Sequence, residues 1–90
     1  VYFGLYQSEE GNNVYTYGMT AFGKEEMEIL GSKHGLTELH GFMLEIACYV
    51  IGSDVTLREG ETLGSSEEQK LLITRSKGVS VEGMTLKIEY

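Results

Sequence analysis

The 90-residue chain contains no proline and only one cysteine, Cys48. Without proline, its turns must be built from glycine, asparagine and serine, and twelve glycines are available for them. A single cysteine cannot form an intramolecular disulfide, which excludes a disulfide-stapled secreted scaffold and favours a reducing cytoplasm. Because Cys48 lies in a strongly apolar stretch, we expect a buried packing residue rather than a thiol nucleophile.

Basic residues are also scarce, since seven Lys and Arg stand against fourteen Asp and Glu and give a net charge of −7. This charge repels phosphate backbones and anionic lipids, so we expect neither nucleic acid nor a membrane as partner. A basic partner, a cation or solubility alone would each be compatible with it. The longest apolar run, residues 46–51, is far shorter than the roughly 20 residues of a membrane span. We expect a cytoplasmic protein.

The amount of apolar sequence limits the size of the core. With 41% hydrophobic residues, the chain can cover one helix face and one sheet face, which predicts a single two-layer domain over residues 1–90. The sequence begins at Val1, inside an expected strand and without an initiator methionine. We therefore expect it to be a domain cut from a longer protein.

Residues 36–51 have the clearest periodicity. Apolar residues recur there at spacings of three and four, the pattern of an amphipathic helix. They are Leu36, Leu39, Met43, Ile46 and Val50. Further apolar residues widen the stripe, so we expect this helix to be well buried. Gly41 inside it costs about 1 kcal/mol relative to alanine, which suggests that the helix lies close to a strand there.

The start of the chain predicts a β-hairpin. Residues 1–7 are rich in aromatic and branched side chains, and residues 14–20 alternate between two faces. The polar residues 8–13 between them predict a loop too long for a two-residue turn. Gly18, within the second expected strand, indicates a bulge or the close approach of another backbone.

Three further stretches predict strands. In residues 24–30 apolar residues alternate with glutamates, as in an edge or half-buried strand. Residues 70–76 predict another strand, which residues 79–81 extend as a ribbon. Residues 84–90 alternate strictly and predict one dry face and one wet face. The expected fold is α+β, a mostly antiparallel sheet with the helix over residues 36–51 packed on one face.

Motifs for phosphate and metal binding are incomplete. Residues 18–24 have the spacing of a phosphate-binding loop up to its lysine, but Glu25 stands where that loop needs Ser or Thr. His34 and His40, the only histidines, are six residues apart, whereas a helical metal pair needs three or four. We therefore expect no cofactor, no metal site and no catalytic residue.

Carboxylates are the remaining source of chemistry. A pair of them could support acid–base catalysis or bind a cationic ligand, although a solvated acidic rim is the commoner arrangement. The candidates are Glu25, Glu26, Glu28, Glu59 and Glu61, with His34. A small hydrolase or a cationic-ligand-binding domain is thus an alternative function. It requires several of these groups in one concave pocket and at least one raised pKa.

Tyrosines are concentrated near the expected hairpin. They could form a recognition patch, since they bury area while keeping a hydroxyl for hydrogen bonds, or they could pack across the strands. The candidate interaction surface is Tyr2, Tyr6, Tyr15, Tyr17, Glu25, Glu26 and Glu28. We expect a non-catalytic protein-interaction or structural module whose partner is another protein or the remainder of the parent chain. A homodimer through an edge strand such as residues 24–30 is a further alternative.

One ordered set of motifs spans most of the chain, from about residue 14 to residue 90. It consists of Thr16-Tyr-Gly-Met-Thr, Phe22-Gly-Lys with Glu26, Glu28 and Ile29, Ile46-Ala-Cys-Tyr-Val, and Leu57-Arg-Glu-Gly-Glu-Thr-Leu-Gly. The set resembles the bacterial family catalogued as domain of unknown function 4261, usually the C-terminal part of a longer protein and without an established activity. It is also similar to the suppressor-of-fused-like superfamily, chiefly protein-binding modules, some of which look like bacterial immunity proteins. Neither resemblance implies a role for any residue.

Overall fold

The computed structural model describes residues 1–63 and 71–90. Residues 64–70, which include the start of the predicted strand 70–76, lie outside this description. The elements of the described residues are, in chain order, β1 (Tyr2–Ser8), β2 (Gly11–Tyr17), a 3₁₀ helix (Met19–Phe22), β3 (Met27–Ser32), α1 (Leu36–Gly52), β4 (Thr62–Leu63), β5 (Leu71–Lys77) and β6 (Met84–Ile88). The strands form one sheet in the order β1-β2-β3-β6-β5-β4.

The predicted α+β class is confirmed, with one difference in the sheet. β3 and β6 run parallel, whereas the other neighbouring pairs are antiparallel, so the sheet is mixed. A parallel neighbour requires a long crossover, and α1, β4 and β5 all lie between β3 and β6 in the chain. This crossover places β3 at the centre of the sheet.

The core lies between α1 and one face of the sheet. Alternate residues of the strands meet helix residues spaced three and four apart. The buried apolar residues include Val14, Met27, Ile29, Leu39, Met43, Ile46, Ala47, Val50, Ile73, Leu86 and Ile88. The predicted amphipathic helix is therefore confirmed. Within the described part of the chain, no helix has the length and apolar character needed to cross a membrane.

The outer face of α1 is exposed, so the prediction of a well-buried helix is wrong. Leu44 and Tyr49 are 43% and 51% exposed, and Cys48 is exposed as well. Since α1 packs on a single sheet, only one stripe of the helix is covered, and these three side chains lie outside it. The expectation that Cys48 is a buried packing residue is wrong for the same reason.

Gly41 also lies on this outer face, and a Cβ built on it would have no neighbour within 4 Å. The expected close approach to a strand is absent, so the glycine only weakens the helix. We expect Gly41→Ala to raise the free energy of unfolding by about 1 kcal/mol and the melting temperature by about 4 to 8 °C. Thermal unfolding followed by circular dichroism measures this. Glu45→Ala, on the same face, should change the melting temperature much less, and a Gly41→Ala variant no more stable than the original would contradict the prediction.

The predicted hairpin is confirmed, but its connection is shorter than expected. β1 ends at Ser8 and β2 begins at Gly11, so a two-residue turn replaces the predicted loop over residues 8–13. The polar residues join β2 because Asn13 is buried with partners for its amide. Its Nδ2 donates to the Tyr6 carbonyl at 3.2 Å, and the Gly31 N–H donates to its Oδ1 at 2.9 Å.

The second strand of the hairpin starts and ends three residues earlier than predicted. β2 ends at Tyr17, and Gly18, with φ +106°, leads into the 3₁₀ helix Met19–Phe22. The backbone N–H groups of Gly18 and Met19 donate to the carboxylate of Glu26. Because a side chain accepts these two bonds, the backbone leaves the sheet at this point.

The strand predicted over residues 24–30 is present as β3, Met27–Ser32, but its predicted position as an edge or half-buried strand is wrong, because β3 lies between β2 and β6. Met27 and Ile29 are buried on the helix side, and Glu28 is buried on the opposite side. Residues 79–81 form bends rather than a strand extension. The predicted wet face of β6 is also wrong, since Thr85 is fully buried.

The position of β3 excludes a homodimer through residues 24–30, because both sides of this strand are already paired, with β2 and with β6.

Candidate functional site

The four tyrosines of the hairpin lie on the sheet face opposite α1. The register of β1 and β2 pairs Tyr2 with Tyr17 and Gly4 with Tyr15, and paired residues point to the same face. Tyr6 is two residues beyond Gly4 and shares that face. We call the surface formed by Tyr2, Tyr6, Tyr15 and Tyr17 the tyrosine face. Tyr2 is 77% exposed and Tyr17 61%, whereas Tyr6 and Tyr15 are half-buried.

Two of these rings are held in place by their neighbours. The ring of Tyr15 lies over Gly4, where a Cβ would overlap it. The ring centroids of Tyr6 and Tyr15 are 6.3 Å apart, and the hydroxyl of Tyr6 is 2.8 Å from the Ser80 Oγ. These contacts fix the centre of the tyrosine face, while Tyr2 and Tyr17 offer exposed rings at its edge.

The connection between β5 and β6, residues 78–83, borders the tyrosine face and leaves two grooves. The first has a volume of about 470 Å³ and is lined by Tyr2, Phe3, Gly4, Tyr15, Tyr17, Ser80, Val81 and Glu82. The second has a volume of about 560 Å³ and is lined by Tyr6, Ser8, Glu9, Glu10, Asn13, Leu30 and Val79. Each groove combines a tyrosine ring with at least one exposed glutamate.

Glu28 holds this connection against the sheet. Its fully buried carboxylate accepts the backbone N–H groups of Val79 and Ser80, at 3.1 and 2.9 Å, and the hydroxyl of Thr85 at 2.6 Å. The Nζ of Lys87 lies 3.1 Å from the same carboxylate. Burial alone would raise the pKa of Glu28, but these donors together outweigh it and hold the pKa below its ordinary value.

Glu26, which directly precedes β3, organises the end of β2 in a similar way. Its carboxylate accepts the Thr16 hydroxyl at 2.8 Å and the N–H groups of Gly18 and Met19 at 2.9 and 3.0 Å. The Met27 N–H in turn donates to Thr16 Oγ1 at 2.9 Å. These bonds fix the end of β2, and with it the position of Tyr17.

The predicted acidic rim is therefore wrong for two of its members. Glu26 and Glu28 are buried and bound by donors of this chain, so a partner cannot reach them. Glu25 is partly exposed, and the Arg75 Nε donates to its carboxylate at 2.8 Å. The candidate interaction surface thus divides into the tyrosine face, two buried carboxylates and one surface ion pair.

Glu25 and Glu59 share a cavity of about 350 Å³ beside the end of α1. Its lining residues are Gly23, Lys24, Glu25, Met27, Val50, Thr56, Leu57, Arg58, Glu59, Arg75 and Leu86. Both carboxylates are bound by Arg75, since its backbone N–H donates to Glu59 at 2.8 Å. Of the residues proposed for a hydrolase, His34 pairs instead with Glu38 at 3.1 Å. The structure does not bring that set into one pocket, and the pKa of Glu28 is lowered rather than raised.

Both histidines make aromatic contacts. His34 stacks on Tyr90 with a centroid distance of 3.9 Å, and Tyr90 stacks on Phe42 at 4.0 Å. His40 packs edge-on against Phe3 at 5.4 Å. In the part of the chain that the structure describes, no three His, Cys, Asp or Glu residues converge on a metal position.

The glutamates beside the tyrosine face were missed by reasoning from the sequence. Glu9 and Glu10 lie in the turn of the hairpin, and Glu82 lies in the connection between β5 and β6. They are about 70 residues apart in the chain, and no periodicity links them. Only the fold brings them to the same side of the sheet.

Residues 15–89 match the family described as domain of unknown function, DUF4261. No curated protein and no solved structure matches the chain. The match includes β3, α1, β5 and β6, with both buried glutamates, whereas Tyr2 and Tyr6 of β1 precede it. Since it covers most of the 90 residues, the chain belongs to the DUF4261 family.

Proposed function

We propose that this domain is a protein-interaction module whose tyrosine face binds a basic segment of another protein. The observation that carries the proposal is the combination of four tyrosines with three exposed glutamates beside the same two grooves. The glutamates are Glu9, Glu10 and Glu82. Such a surface matches arginine and lysine side chains, because their aliphatic stems pack on rings while their charges pair with carboxylates.

Each part of the surface contributes to this recognition. The faces of tyrosine rings attract a cation by about 0.5 to 1 kcal/mol at exposed sites, and arginine stacks on them best. Since Tyr6 and Tyr15 are already held, little side-chain entropy is lost at the centre of the tyrosine face. The net charge of −7 attracts basic partners from a distance and repels acidic ones.

Two further considerations support this class of function and its location. The similarity of the motif order to the suppressor-of-fused-like superfamily, whose domains are chiefly protein-binding modules, implies binding rather than catalysis. The resemblance is to bacterial proteins, and a lone exposed Cys48 suits a reducing compartment. We therefore propose that the interaction takes place in a bacterial cytoplasm.

The test is a titration of the 90-residue chain with a short peptide of alternating arginine and serine, compared with the glutamine–serine peptide of equal length. We expect the arginine peptide to bind, to bind less tightly as salt rises, and to shift NMR signals of Tyr2, Tyr15 and Tyr17. Tyr17→Ala should weaken binding about 5- to 10-fold, because it removes an exposed ring from the first groove. Glu82→Gln should weaken it about 2- to 5-fold by removing the charge there.

Matched controls lie on the outer face of α1. Tyr49 is exposed to a similar degree as Tyr17, and Glu45 is an exposed glutamate on the same helix. Tyr49→Ala and Glu45→Gln should leave the affinity for the arginine peptide unchanged. Equal binding of the glutamine peptide, or equal losses in the Tyr17 and Tyr49 variants, would show that the tyrosine face does not recognise basic segments.

A further inference from the structure

β1 forms an edge of the described sheet, where β2 is its neighbour. It is seven residues long and contains neither proline nor a charged side chain. Edge strands are normally protected from pairing by shortness, proline or charge, and lysine is the commonest protection. At the opposite edge of the described sheet, a charged residue, Glu61, directly precedes β4. β1 lacks these protections, and every second residue of β1 directs its backbone N–H and C=O away from β2, where another strand could bind.

The sequence of β1 is symmetric about its third residue. Residues 2–6 read Tyr-Phe-Gly-Leu-Tyr, so tyrosines lie two positions from Gly4 on either side and large apolar residues lie one position away. If two copies of this strand run antiparallel with Gly4 facing Gly4, Tyr2 of each copy faces Tyr6 of the other. Phe3 then faces Leu5 on the helix side. The contact therefore adds tyrosine pairs on one face of the sheet and apolar pairs on the other.

We infer that two copies of this chain associate through β1 in an antiparallel arrangement centred on Gly4. A second copy is the partner that fits, because the symmetric strand is complementary to itself, as a two-fold interface requires. Pairing would cover Leu5, which is 39% exposed, and Tyr2, and would extend the sheet across both copies. Each copy has a net charge of −7, which opposes association, but β1 itself contains no charged residue. In this register Glu9 and Glu10 lie beyond the end of the partner strand.

Sedimentation of the 90-residue chain over a wide range of concentration tests the association. We expect the apparent mass to rise from 10.0 kDa towards twice that value as the concentration reaches several hundred micromolar. Leu5→Lys places a charge on the edge and should weaken the association at least about tenfold. Leu44→Lys is the matched control, since Leu44 is similarly exposed on α1, and it should associate like the original chain.

Cross-linking tests the register. In a Cys48→Ser background, a mixture of Tyr2→Cys and Tyr6→Cys chains should form disulfide-linked dimers on mild oxidation, because these positions face each other across the proposed axis. Either variant alone should cross-link much less. A chain that stays monomeric throughout, an association weakened by Leu44→Lys but not by Leu5→Lys, or equal cross-linking in the single variants would overturn the inference. The affinity losses expected in the peptide titration are read from Tyr17 and Glu82, which lie outside β1, so they test the tyrosine face separately from this association.

Discussion

Replacing Glu28 with glutamine is expected to lower the free energy of unfolding by about 3 kcal/mol. The buried carboxylate accepts hydrogen bonds from Val79, Ser80 and Thr85 and lies against Lys87. A glutamine has one oxygen for these donors, and its NH₂ group faces N–H groups that cannot accept a hydrogen bond. Breaking one side of a buried charged network costs about 3 to 5 kcal/mol, and the isosteric glutamine restores part of that.

Urea unfolding of the two proteins measures this loss. Glu89→Gln provides the control, because Glu89 is exposed, and its substitution should change the free energy of unfolding by less than about 0.5 kcal/mol. If Glu28→Gln unfolds at nearly the same urea concentration as Glu89→Gln, the network around Glu28 does not stabilise the fold.

The same pair of proteins gives a pH dependence with a definite sign. Because the pKa of Glu28 is lower in the folded chain than in the unfolded chain, the unfolded state binds more protons as the pH falls. The stabilisation by Glu28 is fully present above the unfolded pKa of about 4.3 and is lost as the pH falls through the folded pKa. The difference between the original chain and Glu28→Gln should therefore be constant near neutral pH and shrink in acid.

Substitution of Glu28 should also disturb the tyrosine face. The bonds from Val79 and Ser80 hold the connection between β5 and β6, which supplies Val81 and Glu82 to the first groove. Ser80 also contacts the hydroxyl of Tyr6. Glu28 thus positions the surface proposed to bind a partner, although it is itself fully buried.

The helix and the hairpin were predictable because their patterns depend on residues close together in the chain. In α1, spacings of four, three and four identify the buried stripe of Leu39, Met43, Ile46 and Val50. The width of that stripe was not predictable, because Leu44 and Cys48 are apolar but lie outside it. Composition cannot tell whether one layer or two cover a helix.

The two glutamates of the β3 region were misjudged for a different reason. Alternation of glutamate with apolar residues is the ordinary pattern of a strand with one wet face. Here Glu28 has its hydrogen-bond donors more than 50 positions away, in the connection before β6 and in β6 itself. Such donors have no local signature. The burial of Glu28 could therefore be seen only once the parallel pairing of β3 with β6 had brought these donors to it. The donors to Glu26 lie only seven to ten positions earlier in the chain, but the turn that presents them is not part of the strand's alternation.

Removing the Glu26 carboxylate should be nearly as damaging as changing Glu28. Glu26→Ala leaves the N–H groups of Gly18 and Met19 without their acceptor and takes a partner from the Thr16 hydroxyl. Each unsatisfied buried donor costs about 1 to 3 kcal/mol, so we expect a loss of about 3 kcal/mol in the free energy of unfolding. Urea unfolding gives the value.

The neighbouring residue supplies the control, because Glu25→Ala removes a carboxylate that makes only a partly exposed ion pair with Arg75. It should cost less than about 1 kcal/mol. Glu26→Gln keeps one acceptor oxygen and should fall between the two. If Glu25→Ala and Glu26→Ala lower the free energy of unfolding equally, the hydrogen bonds from the Gly18 and Met19 N–H groups to Glu26 do not stabilise the fold. If Glu26→Ala loses the most stability and Glu25→Ala the least, Glu26 is the residue that ends β2 after Tyr17. Glu26 then also fixes the exposed edge of the tyrosine face.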